Sequence, residues 1–358
     1  MDAPTRGSRN PEAVLGDETL AEQGPISVTI VTGFLGAGKT SLVNRLVGAR
    51  TGIERIGIVV NEAGDIGLDG ALLGDASDDV IEIADGCVCC TSQGELLDAI
   101  VKLNRAAGNL DRVIVETSGL ADPGPVVDAL ARIAHVLRLD TIVAVVDAAH
   151  ALDQLDRIKS PEALQQVQLA THVVISKTDL VDAEALEAVR ARVLAVNPEA
   201  QVIVAVRGDL DPELLLDRFS FGADQADTGH GHHDHDHEGH DHQHDGHDHG
   251  HHEGYGHAHL DVEIFSLELT GDLDAGRFDS WLGGLIMLKS EDLFRIKAIV
   301  ALAGEDQQQV VHGVQSYVES TAGRAWAPDE SRTSKIVIIG KELESDSWRH
   351  ELERCVAA

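Results

Sequence analysis

Residues Gly33 to Thr40 read Gly-Phe-Leu-Gly-Ala-Gly-Lys-Thr and fit G-x-x-x-x-G-K-[ST]. That spacing suits a phosphate chain. Gly33, Gly36 and Gly38, with Ala37 and Ser41 on the same turn, let backbone N–H groups point inward. Lys39 supplies a point charge for the β and γ phosphates, and the Thr40 hydroxyl offers a ligand for Mg²⁺. A second oxygen for that cation is expected from Glu116, which ends the apolar run Val113-Ile114-Val115. Gly119, three residues further on, suits a loop that approaches the γ-phosphate. Lys39, Thr40 and Glu116 are thus the candidate catalytic set. Ser176-Lys177-Thr178-Asp179 addresses the base. The Asp179 carboxylate can accept from guanine N1–H and its 2-amino group but repels the N1 lone pair of adenine, and the Lys177 stem can cover the ring. GTP is therefore the expected nucleotide. The common form of this motif has Asn where Ser176 stands, so loss of a bracing amide is expected here.

A second chemistry lies in thiols. The chain has 4 cysteines, and Cys87, Cys89 and Cys90 share one four-residue window. Thiolates are soft and favour Zn²⁺ over Mg²⁺ or Ca²⁺. Three of them on an irregular loop leave one tetrahedral position open for passing the ion on. A redox pair or inert buried thiols are the alternatives. Residues 230–259 carry 14 of the 19 histidines, interleaved with Asp. His232, His233, His235 and His237 there are candidate weak metal ligands, the alternative being a solvated spacer. Cys355 reads as a bystander thiol.

The elements that must hold these residues follow from hydrophobic patterning. Short β-branched runs at 26–31, 55–60, 79–83, 111–116, 140–146, 172–176 and 201–206 are apolar almost throughout, as strands buried on both faces are. Helical patterns at 40–49, 95–107 and 183–196 alternate with them. This predicts a doubly wound, mostly parallel α/β domain. Past the His tract, strands are expected at 261–269, 293–302, 308–314 and 334–340, with helices at 275–287 and 347–356, giving a smaller α+β domain. The expected division is a polar tail over 1–24, the nucleotide domain over 25–221, a His/Asp-rich linker over 222–259 and the second domain over 260–358.

Composition excludes some partners. With 28 basic against 61 acidic residues, neither nucleic acid nor an anionic membrane suits the chain. The longest apolar runs are of strand length, far below the ~20 residues of a membrane span. The polar N-terminus has no apolar core of a secretory signal, so a reducing cytoplasmic setting is expected, with the cysteines as thiols.

The order of these motifs resembles the CobW family of P-loop GTPases, metallochaperones related to the urease and hydrogenase maturation GTPases. The resemblance spans about 26–356 and includes Cys87-Val88-Cys89-Cys90 as the family's C-x-C-C signature. It implies a GTP-hydrolysing chaperone that binds zinc through those thiols and hands it to a client metalloprotein, and it leaves a homodimer open. Insertion of cobalt or iron into another client is the alternative within the class, and a zinc buffer with a vestigial GTPase fold is the alternative outside it. The family's N-E-F-G-E loop is here Asn61-Glu62-Ala63-Gly64-Asp65, and its R-x-K-G is Arg295-Ile296-Lys297-Ala298.

Overall fold

The computed structural model describes residues 25–50, 54–60, 80–83, 96, 100, 103, 110–134, 136–156, 161–206, 209–217 and 263–357. The first sheet contains β1 (Ile26–Gly33), β2 (Ile56–Val60), β3 (Val80–Ile83), β4 (Arg112–Glu116), β5 (Leu137–Asp147), β6 (His172–Ser176) and β7 (Gln201–Val204). They lie in the order β3-β2-β4-β1-β5-β6-β7, and every neighbouring pair is parallel. β1 therefore sits in the middle, flanked by β4 and β5. Ligands bind at the carboxyl ends of such strands.

The apolar strands bury both faces. On one face, α1 (Lys39–Arg50) and α5 (Ala183–Val196) press Leu42, Val43, Leu46, Val189 and Val193 onto Val31, Ile58, Ile114 and Val145. The Asp182 side chain starts α5 by accepting from Ala185 N–H at 2.8 Å, the expected use of a short carboxylate at a helix N-cap. On the other face lie α2 (Gly124–Ala131) and the buried residues Leu96, Ile100 and Leu103, whose spacing fits the helix expected over 95–107. Two further helices, α3 (Ala151–Asp156) and α4 (Pro161–Leu169), fill the crossover between β5 and β6.

The second sheet is antiparallel and ordered β11-β10-β9-β12-β8. Its strands are β8 (Glu263–Thr270), β9 (Leu293–Val300), β10 (Gln307–Val314), β11 (Tyr317–Ala325) and β12 (Thr333–Gly340). The helices α6 (Ala275–Lys289) and α7 (Ser345–Glu353) cover one face, where Phe278, Trp281 and Leu285 meet Phe265, Ile296 and Ile338. Buried Cys355 belongs to this core.

One strand corrects the sequence reading, which placed none over 317–325. β11 lies at one edge of the sheet with nearly all its residues part-exposed or exposed, and only Tyr317-Val318 at its start is strongly apolar. The other face of this sheet packs on the first domain: Phe294, Val314, Tyr317 and Ile339 join the core around α2. Leu139 N–H donates to the Tyr317 hydroxyl at 3.1 Å, and burial pushes that phenol up to about 12. Arg138 pairs with Glu319 at 2.9 Å, Lys297 with Glu199, and Ser316 donates to Asp128 on α2. No helix among the described residues is long and apolar enough to cross a membrane.

Candidate nucleotide site

β1 ends at a glycine because nothing larger fits. Gly33 has φ +128°, and a Cβ built there would lie 2.1 Å from the Val145 carbonyl oxygen of β5. Gly36 and Gly38 also take positive φ, at +72° and +98°, which curls the backbone between β1 and α1 into a tight turn. Lys39 opens α1 and donates from Nζ to the Phe34 carbonyl at 3.1 Å, so its ammonium lies across the turn it is to serve. One residue on, the Thr40 hydroxyl donates to Glu116 Oε1 at 2.9 Å. Glu116 is buried at the end of β4, next to β1 in the sheet. Threonine and glutamate thus place two hard oxygens together beside the turn, a donor set that fits Mg²⁺. Gly119 packs on the turn so closely that a Cβ would sit 2.6 Å from both N and Cα of Leu35.

The base side is a cleft of roughly 410 Å³ lined by Ala37, Ser41, Ser176, Lys177, Asp179 and Ala205 among others. The short 3₁₀ turn Thr178–Leu180 carries Asp179 at the rim. Lys177 adopts a left-handed conformation, φ 53° and ψ 34°, rarely taken by a side chain of this size. Asp147 fixes it there: its Oδ2 lies 2.6 Å from Lys177 Nζ, while Oδ1 accepts from Ala149 N–H at 2.9 Å. Burial opposes ionisation of Asp147, but the hydrogen bonds from Lys177, Ala149 and His150 outweigh it and hold the carboxyl below its ordinary range. Arg45 of α1 donates to the Leu210 carbonyl at 2.7 Å and pairs with Asp209, closing the far wall.

Ser176 lacks the amide but keeps a contact of its own. Its hydroxyl lies 2.7 Å from the Ala37 carbonyl and 3.2 Å from that of Val146. The loop therefore has a brace on the phosphate-binding turn. β6 approaches the turn closely enough for a hydroxyl to reach where an amide would otherwise be needed.

Gly33, Gly36, Ala37, Gly38, Lys39, Thr40, Ser41, Glu116 and Gly119 thus gather at one end of the sheet, with Lys177 and Asp179 across the cleft. Cys87, Cys89 and Cys90 lie outside the described residues, as do Asn61 to Asp65 and His232, His233, His235 and His237. Among the described residues no cluster of three metal-ligating side chains occurs. Sequence reasoning missed Asp147. Its signal was available, since it ends a buried strand just as Glu116 does.

A parallel sheet with this turn, a Thr–Glu oxygen pair and an aspartate-rimmed base cleft defines a P-loop GTPase domain. Residues 27–204 match the CobW/HypB/UreG nucleotide-binding domain, and residues 262–356 match the cobalamin synthesis protein CobW C-terminal domain. The chain is 35% identical to the zinc chaperone CobW of Pseudomonas aeruginosa, over 98% of this chain and 96% of that protein. It is 29% identical to the zinc chaperone YjiA of Escherichia coli, over 91% and 97% respectively. The crystal structure of Zn(II)-bound YjiA GTPase from E. coli superposes with a TM-score of 0.64 at 26% identity, covering 94% of this chain and all of that one. The chain belongs to the CobW family.

Proposed function

We propose that this chain is a GTP-hydrolysing zinc chaperone in which Cys87, Cys89 and Cys90 hold the cargo ion and the nucleotide state controls its release. One observation carries the reading. β3 runs parallel to β1 and ends at Ile83, four residues before Cys87 in sequence, at the same carboxyl edge of the sheet as the nucleotide site. Three strand spacings separate β3 from β1, roughly 14 Å at about 4.8 Å each. At that distance the end of β3 and the nucleotide turn share one edge of the sheet.

In this reading Lys39 leaves the Phe34 carbonyl to meet the β and γ phosphates. The turn of Gly33 to Ser41 supplies backbone N–H groups, and Asp179 selects guanine with Lys177 over the ring. Thr40 and Glu116 would hold Mg²⁺, which when bound neutralises charge on the phosphates. The histidines of the tract, His232, His233, His235 and His237 among them, collect zinc weakly for the thiols. The client is a metalloprotein that lacks its ion.

The test is titration of the full chain with zinc, and with cobalt in parallel, in the presence of GDP or a non-hydrolysable GTP analogue. One tight site should be lost when all three cysteines become Ser, with GTP binding kept. Zinc affinity should differ between the two nucleotide states, and linkage requires an equal factor in nucleotide affinity with and without zinc. Equal affinities in both states would leave a zinc buffer instead, and a tight preference for cobalt would change the cargo.

A further inference from the structure

Two hydroxyls hold the segment that follows β6. Ser176 and Thr178 are buried, whereas Lys177 is half-buried and Asp179 is exposed at the rim of the base cleft. The Ser176 hydroxyl is spent on the phosphate-binding turn at Ala37. Thr178 reaches a different element. Its Oγ1 donates to the Ala205 carbonyl at 3.1 Å, a buried bond between residues 27 positions apart. Ala205 lines the same cleft as Asp179.

The wall at Ala205 depends on such ties. Ala205 directly follows β7, a four-residue strand at the edge of the sheet whose residues are all part-exposed or exposed. Its N–H donates to the Ile175 carbonyl of β6 at 2.9 Å. Both backbone polar groups of Ala205 therefore bond to β6 and to the turn after it. The Thr178 bond is the tie next to Asp179, its neighbour in the chain. A carboxylate reads the edge of guanine through two hydrogen bonds, and these weaken steeply when donor and acceptor leave their narrow range of distance and angle. Valine has nearly the shape of threonine and would serve if packing were the sole demand, but it leaves the buried Ala205 carbonyl without this donor.

Resting on the GTPase reading above, we infer that Thr178 is a specificity-positioning residue: its hydroxyl ties the turn carrying Asp179 to the Ala205 wall and so holds the carboxylate in register with guanine. Guanine engages Asp179 through N1–H and the 2-amino group, whereas adenine offers neither in that place. Loosening the tie therefore costs guanine more than adenine.

The experiment uses the full chain as wild type, Thr178→Val and Thr178→Ser, with a fluorescent GDP displaced by unlabelled GDP or ADP. In Thr178→Val, GDP affinity should fall about fivefold, the worth of one neutral buried hydrogen bond, while ADP affinity stays within about twofold. Thr178→Ser keeps the hydroxyl and should restore the wild-type ratio of the two affinities. Equal losses for GDP and ADP, or a ratio that serine does not restore, would overturn the proposal, because a hydroxyl that only supports the fold does not distinguish bases. With Asp179→Ala already present, Thr178→Val should leave GDP affinity within about twofold, and an undiminished loss there would equally refute an action through Asp179. If Thr178→Val fails to fold, Thr178→Ala removes the hydroxyl without setting a methyl group against the carbonyl, and the same ratio decides. Absence of GDP binding to the wild type would instead refute the GTPase reading itself.

Discussion

Replacing Asp147 by Asn removes one negative charge from a buried position while keeping the shape. The Oδ1 bond to Ala149 N–H at 2.9 Å survives, but the oxygen 2.6 Å from Lys177 Nζ becomes an NH₂ facing an ammonium. The Lys177 side chain is 40% exposed, so solvent screens much of the pair, and the Coulomb figure for a dry interior does not apply. A charge-assisted hydrogen bond in this setting is worth about 1–2 kcal/mol. The loss falls on the base side of the cleft, because Lys177 is in a left-handed conformation that the pair holds in place. Guanine-nucleotide affinity should therefore drop about 5- to 30-fold, with the phosphate contacts intact. Fluorescence titration with GDP measures this. A double-mutant cycle with Lys177→Met should return a coupling of about 1 kcal/mol, locating the effect in the pair. The pH dependence is fixed in sign. Since the native carboxyl titrates below its ordinary 3.8, its contribution is complete above that value and is lost only as pH falls further. Wild-type affinity should owe no slope to Asp147 between pH 5 and about pH 8. Undiminished GDP affinity in Asp147→Asn, or a vanishing coupling to Lys177, would refute the positioning role.

Two further outcomes test the fold around the site. Gly33→Ala places a Cβ 2.1 Å from a backbone oxygen at a positive φ, so it should cost about 3 kcal/mol or more, lowering Tm by roughly 10 °C in thermal unfolding. His312, held neutral by burial and by Arg295 and Lys297, is pushed down to about 4 from an ordinary 6.5. The unfolded chain then binds the proton first, so stability should fall as pH drops from 6.5 toward 4, by roughly 3 kcal/mol at most, and His312→Gln should flatten that slope in denaturant titrations.

Chemistry that depends on short contiguous stretches was legible in the sequence. The turn from Gly33 to Thr40 needs glycines at fixed offsets because the backbone itself binds phosphate, and that requirement is local. Parallel strands leave near-continuous apolar runs, so all seven could be located, as could Glu116 at the end of one of them. β11 escaped because, past Tyr317-Val318, it carries polar and small residues and nearly all of it is part-exposed or exposed. The remaining features depend on residues far apart in the chain. Ser176 braces Ala37, 139 positions away, Asp147 fixes Lys177, and Gln166 grips a loop 45 residues earlier. A serine and a glutamine carry no local signal for such roles, and the strand-end position of Asp147 does not say which residue it will hold. Each acquires its partner only when parallel strand order sets the ends of β4, β5 and β6 and the start of α1 side by side. Only the packed sheet fixes those distances.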